Sequence, residues 1–156
     1  MNNLLLFLFS MAMPFFTAFV SSAVTMPSIP SWYAQLNKPW FSPPNWVFGP
    51  VWTLLFTFMG VALFLVLKKG LKKEKNRQAF AVFILQLVLN FLWSFLFFFA
   101  HQPLFAFIDI VALWLGIITT IVLFEKISKL ASRLLWPYLV WVSFASILNL
   151  AIVLLN

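Results

Sequence analysis

WYAQLNKPWFSPPNWVFGPVWTLLFTFMG, residues 32–60, decides how the rest of the chain is read. It carries Trp32, Trp40, Trp46 and Trp52, half of the 8 tryptophans. It also carries Pro39, Pro43, Pro44 and Pro50. Pro39 and the Pro43-Pro44 pair each remove a backbone donor and push the preceding residue toward extended conformations. The first half is therefore expected to be an aromatic loop without regular helix. The second half is an unbroken apolar run and predicts a long hydrophobic helix. Prolines fix the broad, flat indole surfaces at little entropic cost. Such a segment suits a lid over a flat, apolar ligand. The competing reading is an interfacial aromatic belt at headgroup level.

Composition sets the surroundings of this stretch. Of 156 residues, 64% are hydrophobic and only 8% are charged. Mean hydropathy is +1.04. A soluble domain carries about a quarter charged residues, so this balance points to a membrane protein. With no cysteine, thiolate chemistry and disulfides are excluded. The single histidine, His101, cannot build a multi-histidine metal centre. Glu74, Asp109 and Glu125 are the only acids, which leaves little room for paired-carboxylate catalysis. No catalytic residue and no metal site is expected, and no cofactor is required.

Working outward, five apolar runs are long enough to span a bilayer, which takes ~20 residues. They cover about 2–24, 45–67, 78–100, 104–124 and 133–155, with the lid loop at 25–44. The expected fold is an all-α membrane protein: a five-helix transmembrane bundle in one domain, with a structured Trp/Pro-rich loop between helices 1 and 2. Pro14 is expected to kink the first span, and Gly49-Pro50 to distort the first turns of the second. The connectors 68–77 and 125–133 hold nine of the ten Lys and Arg, and Lys38 is the tenth. A net charge of +7 invites nucleic acid as a partner. The position of these residues between spans argues instead for orientation, with the basic connectors cytoplasmic and the tryptophan loop on the opposite side. No nucleic-acid partner is expected.

Polar residues inside spans need partners or ligands. Gln86, Asn90 and Ser94 share one face of the third span, bordered by Trp93. Trp141, Ala145 and Asn149 form a stripe on the fifth. Trp52, Thr53, Thr57 and Gly60 lie on the second. Gln86, Ser94, Thr57 and Gly60 read as helix–helix contacts. Asn90 is either such a contact or the polar anchor of a pocket. Asp109 reads as part of a close-packing face with Ala112, Gly116 and Thr119, or as a proton-relaying acid in an exporter. His101 reads as a solvated loop residue, or as a weak axial ligand to a metalloporphyrin.

The run at 32–60, the third-span run QLVLNFLWSFLFF and the fifth-span run RLLWPYLVWVSFASILN together resemble the translocator protein family, also called tryptophan-rich sensory proteins. The resemblance covers nearly the whole chain. It implies a compact five-helix bundle, usually a homodimer, in a bacterial or archaeal cell membrane. It implies binding of porphyrins such as protoporphyrin IX, or similar flat tetrapyrroles, by a receptor, carrier or sensor. By position, Trp52 and Asn90 match residues that anchor a ligand carbonyl in the family. Trp93, Trp141 and Ala145 match pocket walls, and Trp32, Tyr33, Trp40, Pro43 and Trp46 match the lid and rim. Some family members degrade porphyrin in light, for which Trp32 and Trp40 are the candidates here. Two departures matter. Residues 147–156 contain no Tyr and no basic residue, so the sterol motif of animal members is missing, which counts against cholesterol. Phe41 occupies a lid position where many members have Trp.

Overall fold

A computed structural model describes residues 2–156. Five helical rods are long and apolar enough to cross a membrane. The first is α1 (Asn3–Thr25), prolonged by a 3-10 turn, Met26–Ser28, and a π-helical turn, Ile29–Tyr33. Then come α2 (Asn45–Leu67), α3 (Glu74–Ser94) with a π-helical turn at Phe95–Phe99, and α4 (Pro103–Glu125). A short α5 (Lys129–Leu134) leads into α6 (Trp136–Leu155), and the two together form the fifth rod. No strand occurs among the described residues.

Local chemistry accounts for the element ends. Asn2 caps α1 by accepting from the Leu4 N–H at 3.2 Å. Pro44 precedes α2 with an extended ψ of 145°. Ser128 caps α5, its hydroxyl accepting from the Ala131 N–H at 3.4 Å. Pro103 and Pro137 occupy the first turns of α4 and α6, where a missing N–H costs nothing. His101 closes the α3–α4 turn in the left-handed region, with φ 55°. That conformation lets Ala100 N–H donate to Phe95 O at 2.8 Å and Gln102 N–H to Leu96 O at 2.9 Å.

Three boundaries differ from the expectation. The lid loop of 25–44 is helical over its first half, with Pro27 and Pro30 near the starts of the 3-10 and π turns. The chain leaves helical geometry only after Gln35. The third rod starts at Glu74 rather than 78, with an acid in its first turn that favours the helix N-terminus. The last rod begins at Lys129 rather than 133 and is broken at Leu135, ahead of Pro137.

The core is a continuous apolar cluster of α2, α3, α4 and α6 that includes Met59, Leu63, Phe83, Leu113, Ile117 and Phe124. Two glycines set how closely helices approach. A Cβ at Gly60 would meet the sulfur of Met11 and lie 3.2 Å from the Met11 Cα, so α1 and α2 touch nearly backbone to backbone there. A Cβ at Gly116 would lie 3.4 Å from the Gln86 Cβ, which marks the α3–α4 seam. On α4 the close-packing face is Asp109, Leu113, Gly116, Ile117 and Thr120. Ala112 and Thr119 are exposed, contrary to the sequence reading, since the packed stripe passes through their neighbours Leu113 and Thr120 instead.

Candidate functional site

The loop-side ends of the helices carry the aromatic residues that the opening sequence concentrates. Tyr33, brought inward by the π turn, is buried against Phe97 and Phe98, with centroids at 6.3 and 5.7 Å. Trp32 meets Phe97 edge-on at 5.4 Å and stacks flat on His101, centroids 4.4 Å apart at 13°. The His101 Nε2 lies 3.4 Å from the Ser28 hydroxyl. His101 is exposed, as expected of a loop residue, and through these contacts it also docks the lid onto the α3–α4 turn. Phe41 packs edge-on against Phe144 at 6.4 Å. The Asn37 N–H donates to Asn156 Oδ1 at 3.0 Å, and Asn156 Nδ2 donates to Asn37 O at 3.0 Å. The extended half of the lid is thereby fastened to the end of α6.

Removing the Asn37–Asn156 pair by Asn156→Ala should loosen only this segment, since net hydrogen-bond contributions are about 1 kcal/mol each. Amide hydrogen exchange across 36–42 is expected to quicken by about tenfold while α3 and α4 stay protected. Unchanged exchange would show that the Phe41–Phe144 contact and the bond from Asn37 Nδ2 to Leu155 O hold the lid without this pair.

Beneath the lid is a cavity of about 600 Å³. That volume lies within the range of sites for drug-sized apolar ligands, roughly 300–1,000 Å³. Its floor and back wall are Trp52, Phe56, Asn90, Trp93, Ala145 and Asn149. The π turn after α3 brings two successive residues, Phe97 and Phe98, to the same wall. Its front runs along the α1–α2 seam, past Phe15, Phe19, Ser21, Ser22 and Thr25 on one side and Trp46, Gly49 and Thr53 on the other. Phe19 and Trp46 are 73% and 74% exposed while still lining the space, so the mouth opens sideways between α1 and α2.

The polar groups of the back wall are tied together. Asn90 Nδ2 donates to the Tyr138 hydroxyl at 2.9 Å. The Trp93 indole N–H donates to Asn149 Oδ1 at 3.0 Å, and Asn149 Nδ2 donates to Pro103 O at 2.9 Å. These bonds hold the Trp93 indole and both amides in fixed orientations, as a preorganised pocket requires. Trp52 lies over Phe56 at 5.5 Å and meets Tyr138 edge-on at 6.2 Å. Among the described residues no charged side chain lines the cavity, and Lys38 Nζ stands 4.5 Å over the ring of Tyr33, a lining residue.

Of the residues singled out in the sequence, Tyr33, Trp46, Trp52, Asn90, Trp93 and Ala145 line this cavity together. Trp32, Trp40, Pro43 and Trp141 do not. Trp40 is 95% exposed and touches Phe41 edge-on at 5.7 Å. Trp141 packs between Phe48 and Phe144, at 5.8 and 5.5 Å, one layer behind the wall. Gln86 is buried at a helix contact, its Nε2 3.9 Å from the Met59 sulfur. Asp109 is buried in α4 and lines no part of the cavity. The sequence reading missed the whole α1 wall. The signal was there in the spacing Thr17, Ser21, Thr25, a polar stripe of period four along an apolar helix. Tyr138, the partner of Asn90 from 48 residues away, left no local signal.

Comparison with known proteins gives a consistent result. The sequence model of the TspO/MBR family matches residues 10–155. The chain is 49% identical over 138 residues to the Tryptophan-rich protein TspO of Archaeoglobus fulgidus, covering 88% of each chain. It is 49% identical over 139 residues to the Tryptophan-rich protein TspO of Chlorobaculum tepidum, covering 88% of this chain and 87% of the other. To the Translocator protein of Homo sapiens it is 41% identical over 119 residues, covering 76% of this chain and 70% of the other.

Proposed function

This chain belongs to the TspO/MBR family and is a multi-pass membrane protein, and from that premise we propose that it binds porphyrins or similar flat, apolar tetrapyrroles in the cavity beneath the lid. The observation that carries this reading is the cavity itself: about 600 Å³, walled by aromatic rings, free of charged groups and holding a few fixed amides. Flat conjugated ligands gain from offset stacking on indole and phenyl faces. A small number of oriented polar groups then sets the pose. The role is that of a receptor or carrier. With nine of the ten Lys and Arg within residues 68–77 and 125–133, at the ends of the rods away from the lid, that end faces the cytoplasm and the lid faces the other side.

Titrating the purified protein with protoporphyrin IX, haem and a sterol, followed by tryptophan quenching, tests the reading. Saturable binding of the two porphyrins and none of the sterol is expected. Absence of saturable porphyrin binding would overturn it.

His101 should not ligate the iron of haem. His101 is outside the cavity lining, stacked on Trp32 and next to Ser28, so it is not placed to ligate a bound metal. The affinity ratio of haem to protoporphyrin IX is therefore expected to be the same in His101→Ala as in the native protein. A selective loss of haem would show that the ring swings inward.

A further inference from the structure

The end of the bundle away from the lid carries nearly all of the charge. Residues 68–77 and 125–133 hold nine Lys and Arg against two acids, Glu74 and Glu125. That is the whole net charge of +7, since Lys38 and Asp109 cancel. All nine cations are exposed. Among the described residues only Arg77 is in an ion pair, with Glu74. The fold gathers these groups. The buried Asn76 donates from Nδ2 to Gly70 O, and Gly70 takes a left-handed φ of 79°, which sets the turn between α2 and α3. Lys75 Nζ reaches Lys126 O at 3.4 Å and joins this turn to the one after α4. The short α5 packs against α2 and α4 and brings Lys129 and Arg133 to the same end.

Apolar side chains are interleaved with the cations. In and after α5, Ala131, Ser132 and Leu135 are buried, while Lys129, Leu130, Arg133 and Trp136 are exposed. Leu130 is 58% exposed and Trp136 is 53% exposed. Leu71, next to Lys72, is exposed as well. An indole and leucines set among cations at the end of a span belong to the boundary between headgroups and acyl chains. A nucleic acid would match the charge and leave these apolar groups in water. A bilayer edge takes both, with the ammonium groups at the phosphates and their stems in the apolar layer.

We propose that this face is an interaction surface for anionic phospholipids of the surrounding leaflet. The headgroup phosphate sits among Lys72, Lys73, Lys75, Lys126, Lys129 and Arg133, and Leu130 and Trp136 meet the upper part of the acyl chains. Every cation near an anionic membrane surface adds to the attraction, and salt screens it. A lipid held by residues from both connectors recognises only the folded arrangement, so it stabilises the protein by mass action. The surface lies away from the cavity, and the inference stands whatever the cavity binds.

The test melts the purified full chain in detergent with added phosphatidylglycerol or with phosphatidylcholine of the same chains. Phosphatidylglycerol is expected to raise the melting temperature by several degrees more than phosphatidylcholine, and the excess should shrink between about 50 mM and about 500 mM NaCl. Replacing Lys72, Lys75, Lys126 and Lys129 together by Gln should abolish the excess while melting in phosphatidylcholine stays as in the native protein. Lys38→Gln, on the lid side, should keep it. Native mass spectrometry of the unaltered protein from an equal mixture of the two lipids gives a second readout, in which phosphatidylglycerol should be the enriched adduct. Equal shifts with the two lipids, no enrichment, or an excess that survives the fourfold replacement would overturn the inference. So would glycerol phosphate reproducing the shift, which would mark a site for free phosphate, or a short RNA displacing the lipid, which would mark a nucleic-acid surface.

Discussion

Trp52→Ala is expected to cut protoporphyrin affinity by roughly 30- to 150-fold, the loss of about 2–3 kcal/mol that truncating a central aromatic anchor typically brings. Trp52 lines the cavity, and its ring is held by Phe56 and Tyr138 on the protein side. The indole is thus fixed before a ligand arrives, and its exposed face is available for stacking. The bundle should survive, because Trp52 is only half-buried and flanks the main core rather than filling it. Trp40→Ala is the matched control. It removes an indole of the same size that is 95% exposed and outside the cavity, so affinity should not change. A titration with both variants separates a cavity from a general affinity of porphyrin for tryptophan. Equal effects at the two positions would count against the cavity.

Gly60→Val should produce the largest loss of stability. A first side-chain carbon there already collides with Met11, and the backbone of α1 stands 3.2 Å away. The sulfur can swing aside, but the Cα cannot move without displacing the helix. Overpacking of this kind costs about 1–3 kcal/mol, and small residues at such crossings are what let membrane helices approach. The displacement would also part Phe7 from Phe64, which meet edge-on at 5.4 Å on the same seam. Thermal melting in detergent should fall by several degrees, and Met11→Ala in the same chain should restore part of it. Because α1 also forms the front wall of the cavity, porphyrin affinity should fall with it. An unchanged melting temperature would mean that α1 is held by its lid-side turns and not by this contact.

Much of the architecture could be read from hydrophobic run length alone. The bounds of α2 at 45 and 67 follow from Pro44 before it and the Lys68-Lys69 pair after it. The lid was harder. Pro27 and Pro30 look like helix breakers, yet the helix runs on through changed pitch, as a 3-10 turn at Pro27 and a π turn at Pro30. The site was legible where chemistry is unusual for a bilayer: Asn90, Trp93 and Trp52 are conspicuous in apolar runs, and all three line the cavity. What sequence spacing cannot resolve is which side of a helix faces a hollow and which faces a neighbour. Trp141 and Ala145 lie one turn apart, and only Ala145 reaches the cavity.

The sideways mouth between α1 and α2 changes what an affinity means for this protein. A ligand that enters past Phe19 and Trp46 comes from hydrocarbon, where flat apolar molecules accumulate far above their aqueous level. Occupancy is then governed by moles of ligand per mole of lipid. Doubling the lipid at fixed protein and ligand would dilute the ligand and lower the bound fraction, even with the aqueous volume untouched.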